Sequence, residues 1–212
     1  MRRLSVTYDK NPHASAARVT GLYDRHAQAF DRLRGKNLME RGWLDRFRAA
    51  MPSGAAVLDL GCGSGEPMAR YLIENGHSLT GIDSAPAMLA LCRARFPHQR
   101  WIEGDMRAVS LGGHFGGILA WGSFFHLPHQ DQRAMLGVFR DHAAPGAALM
   151  FTSGPSHGEA IGVFEGEDLY HASLAPAEYR ALLADNGFQV LSYVENDPTC
   201  GENTVWLAQK TV

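Results

Sequence analysis

Cysteine is scarce in this 212-residue chain: Cys62, Cys92 and Cys200 are an odd number, and none stands in a Cys-x-x-Cys pair. That pattern speaks against a disulfide framework or a zinc knuckle, and it suits a reducing cytoplasm. An excess of either charge is also missing, with Lys and Arg at 20, Asp and Glu at 22, and a formal net charge of -2. The arginines stand singly, as at Arg32, Arg34, Arg41, Arg46 and Arg48, rather than in a basic run. A nucleic-acid binder needs a basic footprint, so no DNA, RNA or anionic membrane partner is expected. The longest apolar stretch, around Gly117 to Phe125, is far too short to span a bilayer. Met1 to Ser5 carry positive charge, but no apolar segment follows before Asp9, so no signal peptide is expected. Internal repeats and low-complexity segments are absent as well.

What remains is an ordinary globular composition, 45% hydrophobic and 20% charged, in a chain long enough for one well-buried α/β unit. Two regions differ in character. Residues 1–52 show helical spacing only, with Leu22, Tyr23, His26, Phe30 and Leu33 in one amphipathic helix and Leu38, Trp43, Leu44 and Phe47 in a second. Residues 53–212 alternate strands with helices, the pattern of a parallel sheet with crossovers. The two are expected to form one compact unit, with a helical cap on a sheet-bearing domain. Strands are predicted at 55–60, 79–83, 101–104, 116–121, 147–152, 188–194 and 204–208. Helices are predicted at about 66–75, 85–96, 130–142 and from Pro176 to Gly187. The stretch from Ser153 to Leu174 has no clear periodicity and reads as a long functional loop.

Three glycines alternate at positions 61, 63 and 65, directly after a predicted strand and before a predicted helix. Glycine permits positive φ and lets a ligand approach the main chain. A dinucleotide site favours G-x-G-x-x-G, with a pyrophosphate at the helix start. Here the turn is Asp59-Leu60-Gly61-Cys62-Gly63-Ser64-Gly65, followed at once by Glu66. A carboxylate at a helix start repels phosphate, so a ligand without phosphates is expected. S-adenosylmethionine (SAM) is such a ligand, and its ammonium can pair with an acid such as Asp59.

The stretch Val57 to Gly65 resembles the first motif of class I SAM-dependent methyltransferases, specifically those acting on small molecules. Three further positions match in order. Ile82-Asp83 resembles the acid that holds the ribose hydroxyls, and Glu103-Gly104-Asp105-Met106 the motif at the adenine amino group. Gly117 to Trp121 resembles the fourth strand, whose end lies beside the transferred methyl. The resemblance implies a Rossmann-like, seven-stranded, mostly parallel sheet with helices on both faces and its last strand antiparallel. It also implies SAM as cofactor, S-adenosylhomocysteine as product, and contacts from Asp59, Gly61, Cys62, Gly63, Gly65, Asp83, Ser84, Met88, Asp105, Met106 and Trp121. Core packing is the alternative for Met88. The phrase Tyr23 to Asp31 resembles a helical lid with its leading aromatic, Tyr23, near the cofactor; simple burial of Tyr23 and Phe30 is the alternative.

Methyl transfer needs an acceptor atom held in line with the breaking bond, shielded from water, and for some acceptors a base. Trp121 and Phe125 could favour the sulfonium through their ring faces. His126, His157 and His171 are candidate catalytic groups, with Glu159, Asp168 and Tyr170 beside them and Asp197, Cys200 and Glu202 in second place. His126, His129 and Asp131 around Pro128 make a poor preformed metal site, so no metal is expected. The expected activity is transfer from SAM to an O, N, S or C nucleophile on a small molecule, by a monomer or homodimer. A non-catalytic SAM-binding module remains an alternative. A nicotinamide-dependent oxidoreductase is a weaker one, given the glycine spacing and Glu66. The Pro-Pro-aromatic signature of base-amine methylation is absent where Ala120-Trp121-Gly122-Ser123 stands.

Overall fold

The computed structural model describes residues 12–211. Residues 1–11, on which the absence of a leader was read, and Val212 lie outside the described residues. In chain order the elements are α1 (Pro12–Arg25), α2 (Ala27–Leu33), α3 (Arg41–Ala50), β1 (Val57–Leu60), α4 (Met68–Glu74), β2 (Leu79–Asp83), α5 (Pro86–Arg95), β3 (Arg100–Glu103), β4 (Phe115–Ala120), α6 (His129–His142), β5 (Ala143–Ser153), β6 (Gly158–Phe164), β7 (Glu167–Ser173), α7 (Pro176–Asp185), β8 (Phe188–Asp197) and β9 (Asn203–Lys210).

Seven strands form one sheet in the order β3-β2-β1-β4-β5-β9-β8. The pairs β1–β2, β1–β4, β2–β3 and β4–β5 are parallel, whereas β9 runs antiparallel to both neighbours. The expected fold class is therefore observed. β1 is buried at all four positions, as an apolar run at the centre of a parallel sheet should be. Its side chains alternate between two cores. Val57 joins Leu79, Leu119 and Met150 under α3, α4 and α5, with Trp43, Phe47, Leu72 and Leu89. Leu58 and Leu60 join Ile118, Phe151 and Trp206 under α6 and α7, with Met135, Phe139, Tyr179 and Leu183. Helices thus cover both faces.

Parallel register lines up the carboxyl ends of the strands. Asp59 sits opposite Gly81 and Leu119, and Asp83 opposite Glu103. That edge is where open α/β sheets bind ligands.

Several boundaries differ from the sequence reading. The segment 153–174 is not a structureless loop: β6 and β7 pair as an antiparallel hairpin from Gly158↔Ser173 to Phe164↔Glu167. Its turn is Glu165-Gly166, both at positive φ (49° and 82°), a geometry that matches the twist of two adjoining strands. The first amphipathic helix is two helices that meet at His26, and α3 starts only at Arg41, after Leu38 at φ 51°. α4 starts at Met68 behind Pro67, so Glu66 precedes it instead of opening it.

Candidate active site

The glycine turn is shaped by hydrogen bonds from the strand beside it. Gly61 N and Cys62 N donate to Ile82 O (2.8 and 3.0 Å), and Gly63 N donates to Asp83 Oδ2 (2.8 Å). Gly61, Gly63 and Gly65 all take positive φ (76°, 52° and 76°). Gly61 also has no room for a side chain, since a Cβ there would lie 2.3 Å from Ser123 Cβ. Ser123 is held in turn by its own hydroxyl donating to Leu60 O (2.6 Å). The backbone therefore stays bare along the rim of a cavity.

That cavity, about 540 Å³, falls within the range of small-molecule sites, roughly 300–1,000 Å³. The glycine turn and the ends of β1, β2 and β4 line it, together with the segment after β3 and residues of α1. Asp59, Gly61, Cys62, Gly63, Gly65, Asp83, Ser84, Met88, Asp105, Met106, Trp121 and Tyr23 all reach it, as do Phe125, His126 and His171.

The acids differ in their state. Asp59 is 3% exposed, and no hydrogen bond reaches its carboxylate among the described residues. Burial first, and the nearby Asp83 second, push its pKa up to about 7. Asp83 accepts from Gly63 N and from Ala85 N (2.9 Å), so it braces the turn as well as facing the cavity. Its pKa is also raised by burial, against the backbone hydrogen bonds that favour the charge. Asp105 is held by the Arg107 guanidinium, which lowers its pKa. Arg107 in turn reaches Asp131 (2.6 Å). Glu66 accepts from Arg70 Nε (2.8 and 3.0 Å), so its charge is largely compensated. The case for a ligand without phosphates therefore rests on Asp59 and Asp83, not on Glu66 as the sequence reading held.

The histidines separate cleanly. His126 is buried, and its Nδ1 donates to Tyr170 O (2.7 Å), a carbonyl that can only accept. Its Nε2 is then the acceptor for the Tyr23 hydroxyl (3.0 Å). Burial, with the neighbouring His171 second, drives the His126 pKa down to about 3, so the ring is neutral with its lone pair already taken. His171 is half-buried on the cavity wall, its ring 5.3 Å from Phe125 and 4.8 Å from His126, and burial lowers its pKa too. His157 is exposed outside the cavity and stacks on His129 (4.4 Å). It stands just before β6 and is not among the cavity-lining residues, so the fold does not bring it together with His126 and His171.

The secondary candidates also lie off the cavity wall. Glu159 accepts from the Tyr170 hydroxyl (2.7 Å), and Asp197 accepts from Trp43 Nε1 (2.7 Å). Cys200 is buried, and burial pushes its thiol up to about 12. Glu202 and Asp168 are on the surface. Among the described residues no group of three or more His, Cys, Asp or Glu side chains is placed to hold a metal ion.

Sequence reasoning missed one end of the cavity. Arg34, Met39, Glu40 and Asn203 line it beside the start of β9. Arg34 donates to Glu40 Oε1 (2.6 Å), while Glu40 Oε2 is buried with no partner. Nothing in the spacing of these residues marks them, because they meet only through the packing of α3 on the β8–β9 turn.

Residues 57–146 match the family model of a methyltransferase domain. That match takes in β1 to the start of β5 and the glycine turn. The chain is 36% identical over 111 residues to malonyl-(acyl-carrier protein) O-methyltransferase of Pectobacterium atrosepticum, covering 51% of this chain and 40% of that protein. The first curated relatives are matched over only 40%, 41% and 45% of their length. Among solved structures, the 1,6-didemethyltoxoflavin-N1-methyltransferase of Burkholderia thailandensis superposes with a TM-score of 0.75 at 19% identity, over 99% of this chain and 94% of that one. CalS10, an amino pentose methyltransferase of Micromonospora echinaspora, gives 0.69 at 24% identity over 88% and 96%. At these identities the shared property is the fold. No helix among the described residues is long and apolar enough to cross a membrane.

Proposed function

We propose that the chain binds SAM along the carboxyl edge of its sheet and transfers the methyl group to a small molecule. The observation that carries this reading is Asp59: a buried carboxylate without a hydrogen-bond partner among the described residues, on the wall of a cavity rimmed by bare glycine backbone. A buried charge needs a counter-charge, and the cofactor's ammonium supplies one. The neighbouring acids fit the rest of the ligand. Asp83 would hold the ribose hydroxyls, and Asp105 and Met106 would flank the adenine. Trp121 and Phe125 would face the sulfonium. α1 closes over the site as a cap, with Tyr23 fixed to His126. Of the three candidate histidines, His171 is the one for acceptor contact: it lines the cavity, burial keeps it neutral, and its ring is bound only to the Leu169 backbone, which leaves the other nitrogen for an acceptor.

When bound, SAM supplies a carbon already activated by the sulfonium. The protein orients the acceptor, excludes water and accommodates one proton. The relatives and solved neighbours named above carry methyltransferase names, which supports transfer over simple binding. Three buried free thiols accord with a reducing, cytoplasmic setting, and the balanced charge favours a small-molecule acceptor over nucleic acid.

Isothermal calorimetry with SAM, S-adenosylhomocysteine and NADH tests the proposal. Micromolar binding of the first two and none of NADH is expected. Binding of NADH alone would overturn the reading. Tight SAM binding without turnover on any acceptor class would leave a SAM-binding module instead.

A further inference from the structure

The charge around the cavity is lopsided. Glu40, Asp59, Glu66, Asp83 and Asp105 line it, against Arg34 and Arg107 only. Both guanidiniums are already in ion pairs, Arg34 with Glu40 and Arg107 with Asp105 and Asp131. The wall histidines are neutral, as their lowered pKa values show. The cofactor's own carboxylate must already be met by one of these guanidiniums or by the bare backbone N–H groups of the glycine turn, so an acceptor that brought a second carboxylate or phosphate would find no further cation among the described lining residues.

The carboxylates also sit at two ends. Asp83 and Asp105 follow β2 and β3, on one side of the central β1. Glu40 lies on the other side, beside Asn203 at the start of β9, which is two strands beyond β4. Glu40 has 0% relative exposure, and its Oε2 has no hydrogen-bond partner among the described residues. Asn203 spends its amide N–H on Cys200 O (2.7 Å), and its Oδ1 accepts nothing among the described residues. Two residues that line the cavity together with Trp121 thus each keep an acceptor with no donor among the described residues, one of them on a buried carboxylate. That arrangement matches a group with several N–H donors and a positive charge.

We propose that the methyl acceptor is an amine, held as its ammonium by Glu40 Oε2 and Asn203 Oδ1. This rests on the SAM-dependent reading above and names its substrate class. In the water-poor cavity one ammonium proton passes to Glu40 Oε2, which frees the nitrogen lone pair. The lone pair attacks the methyl carbon of SAM; the new N–C bond forms as the S–C bond breaks. The sulfonium leaves as the neutral thioether of S-adenosylhomocysteine, and the product is a methylammonium ion. Glu40 then returns its proton to water.

The test uses the full-length protein saturated with S-adenosylhomocysteine. Matched sets of one scaffold bearing an amine, an alcohol or a carboxylate serve as probes: benzylamine, benzyl alcohol and benzoate, and glucosamine, glucose and glucuronate. Competition against tryptophan fluorescence reads affinity. The amine of at least one set is expected to bind about tenfold or more tighter than its partners, the scale of one charge-assisted hydrogen bond. Glu40→Gln should erase that preference while S-adenosylhomocysteine binding stays within about twofold. Asn203→Ala, which leaves the Arg34–Glu40 pair intact, should reduce it, so the argument does not hang on the folding of one variant. A preference for the carboxylate, or no preference in either set, overturns the proposal. So does a Glu40→Gln variant that loses cofactor affinity instead, because Glu40 would then serve the SAM ammonium. Failure of S-adenosylhomocysteine to bind the unaltered protein would sink the SAM reading itself, and this is measured separately.

Discussion

Asp59 is held where burial and a neighbouring carboxylate both oppose its charge, and nothing among the described residues offsets that cost. Its pKa near 7, against 3.8 for the unperturbed group, has two consequences of opposite use. In the ligand-free protein the folded state keeps a proton that the unfolded chain has lost between those values. This group's contribution therefore destabilises the fold progressively as pH rises from about 4 to about 7. Binding works the other way, because a cationic ligand favours the ionised carboxylate and expels the proton. SAM affinity should rise with pH over roughly pH 5 to 7, approaching tenfold per unit for one linked proton, and Asp59→Asn should flatten the profile. Calorimetry in two buffers of different ionisation enthalpy would also read the released proton. A wild-type profile as flat as that of the variant would remove Asp59 from the cofactor site. Residues of this kind were legible in the sequence because glycine spacing and strand-end acids are local. Asp59, Gly61, Gly63, Gly65 and Asp83 are placed by one strand–turn–helix unit and its neighbour. Glu40 and Asn203 were not, because they are 163 positions apart and meet only after α3 has packed on the last hairpin.

Between elements, an ion pair ties α2 to α5. Asp31 on α2 accepts from both Nη atoms of Arg95 on α5 (2.6 and 2.5 Å), and Arg95 also donates to Ser64 O in the glycine turn (3.2 Å). Arg95 holds the Asp31 carboxyl down to about 2, so the pair persists at any ordinary pH. Asp31→Ala strands a mostly covered guanidinium and should cost about 1–3 kcal/mol, read as a lower denaturant midpoint at constant slope. An unchanged midpoint would mean that water replaces the carboxylate freely. Elements whose pattern is local were read correctly: the buried β1, the helix α5 with Pro86 in its first turn, and α7 opening at Pro176. The β6–β7 hairpin escaped because its turn, Glu165-Gly166, lacks the Asn-Gly or Asp-Gly pair that usually marks one. Its burial also fails to alternate: β6 places Ile161 and Gly162, two consecutive residues, inward. The split between α1 and α2 at His26 was hidden because the apolar spacing runs through it unbroken.

At the scale of the whole molecule, α1 lines the cavity and is tied at three places to residues far apart in the chain; in the proposed reading it is a strap over the bound cofactor. Thr20 meets Ser84 (2.8 Å), and Asp24 accepts from Ala87 N (2.8 Å) at the start of α5. Tyr23 donates to His126 beyond β4. Arg25 and His26 grip Glu167 on the hairpin, with Nε of Arg25 at 3.2 Å and His26 Nε2 at 2.7 Å. An edge-on cluster of Tyr23, Phe30 and Phe164 fills the space between strap and hairpin. A ligand enclosed this way must wait for the strap to lift, and lifting requires the hairpin contacts to break. The grip on Glu167 is exposed, so it contributes little to global stability, and its expected effect is on local opening of α1. Glu167→Gln should therefore leave the unfolding midpoint nearly unchanged while amide exchange along α1 and α2 becomes faster. SAM dissociation should speed up in step. Exchange confined to the hairpin, with α1 as protected as before, would show that Tyr23 and Asp24 hold the strap unaided and that the hairpin plays no part in closure.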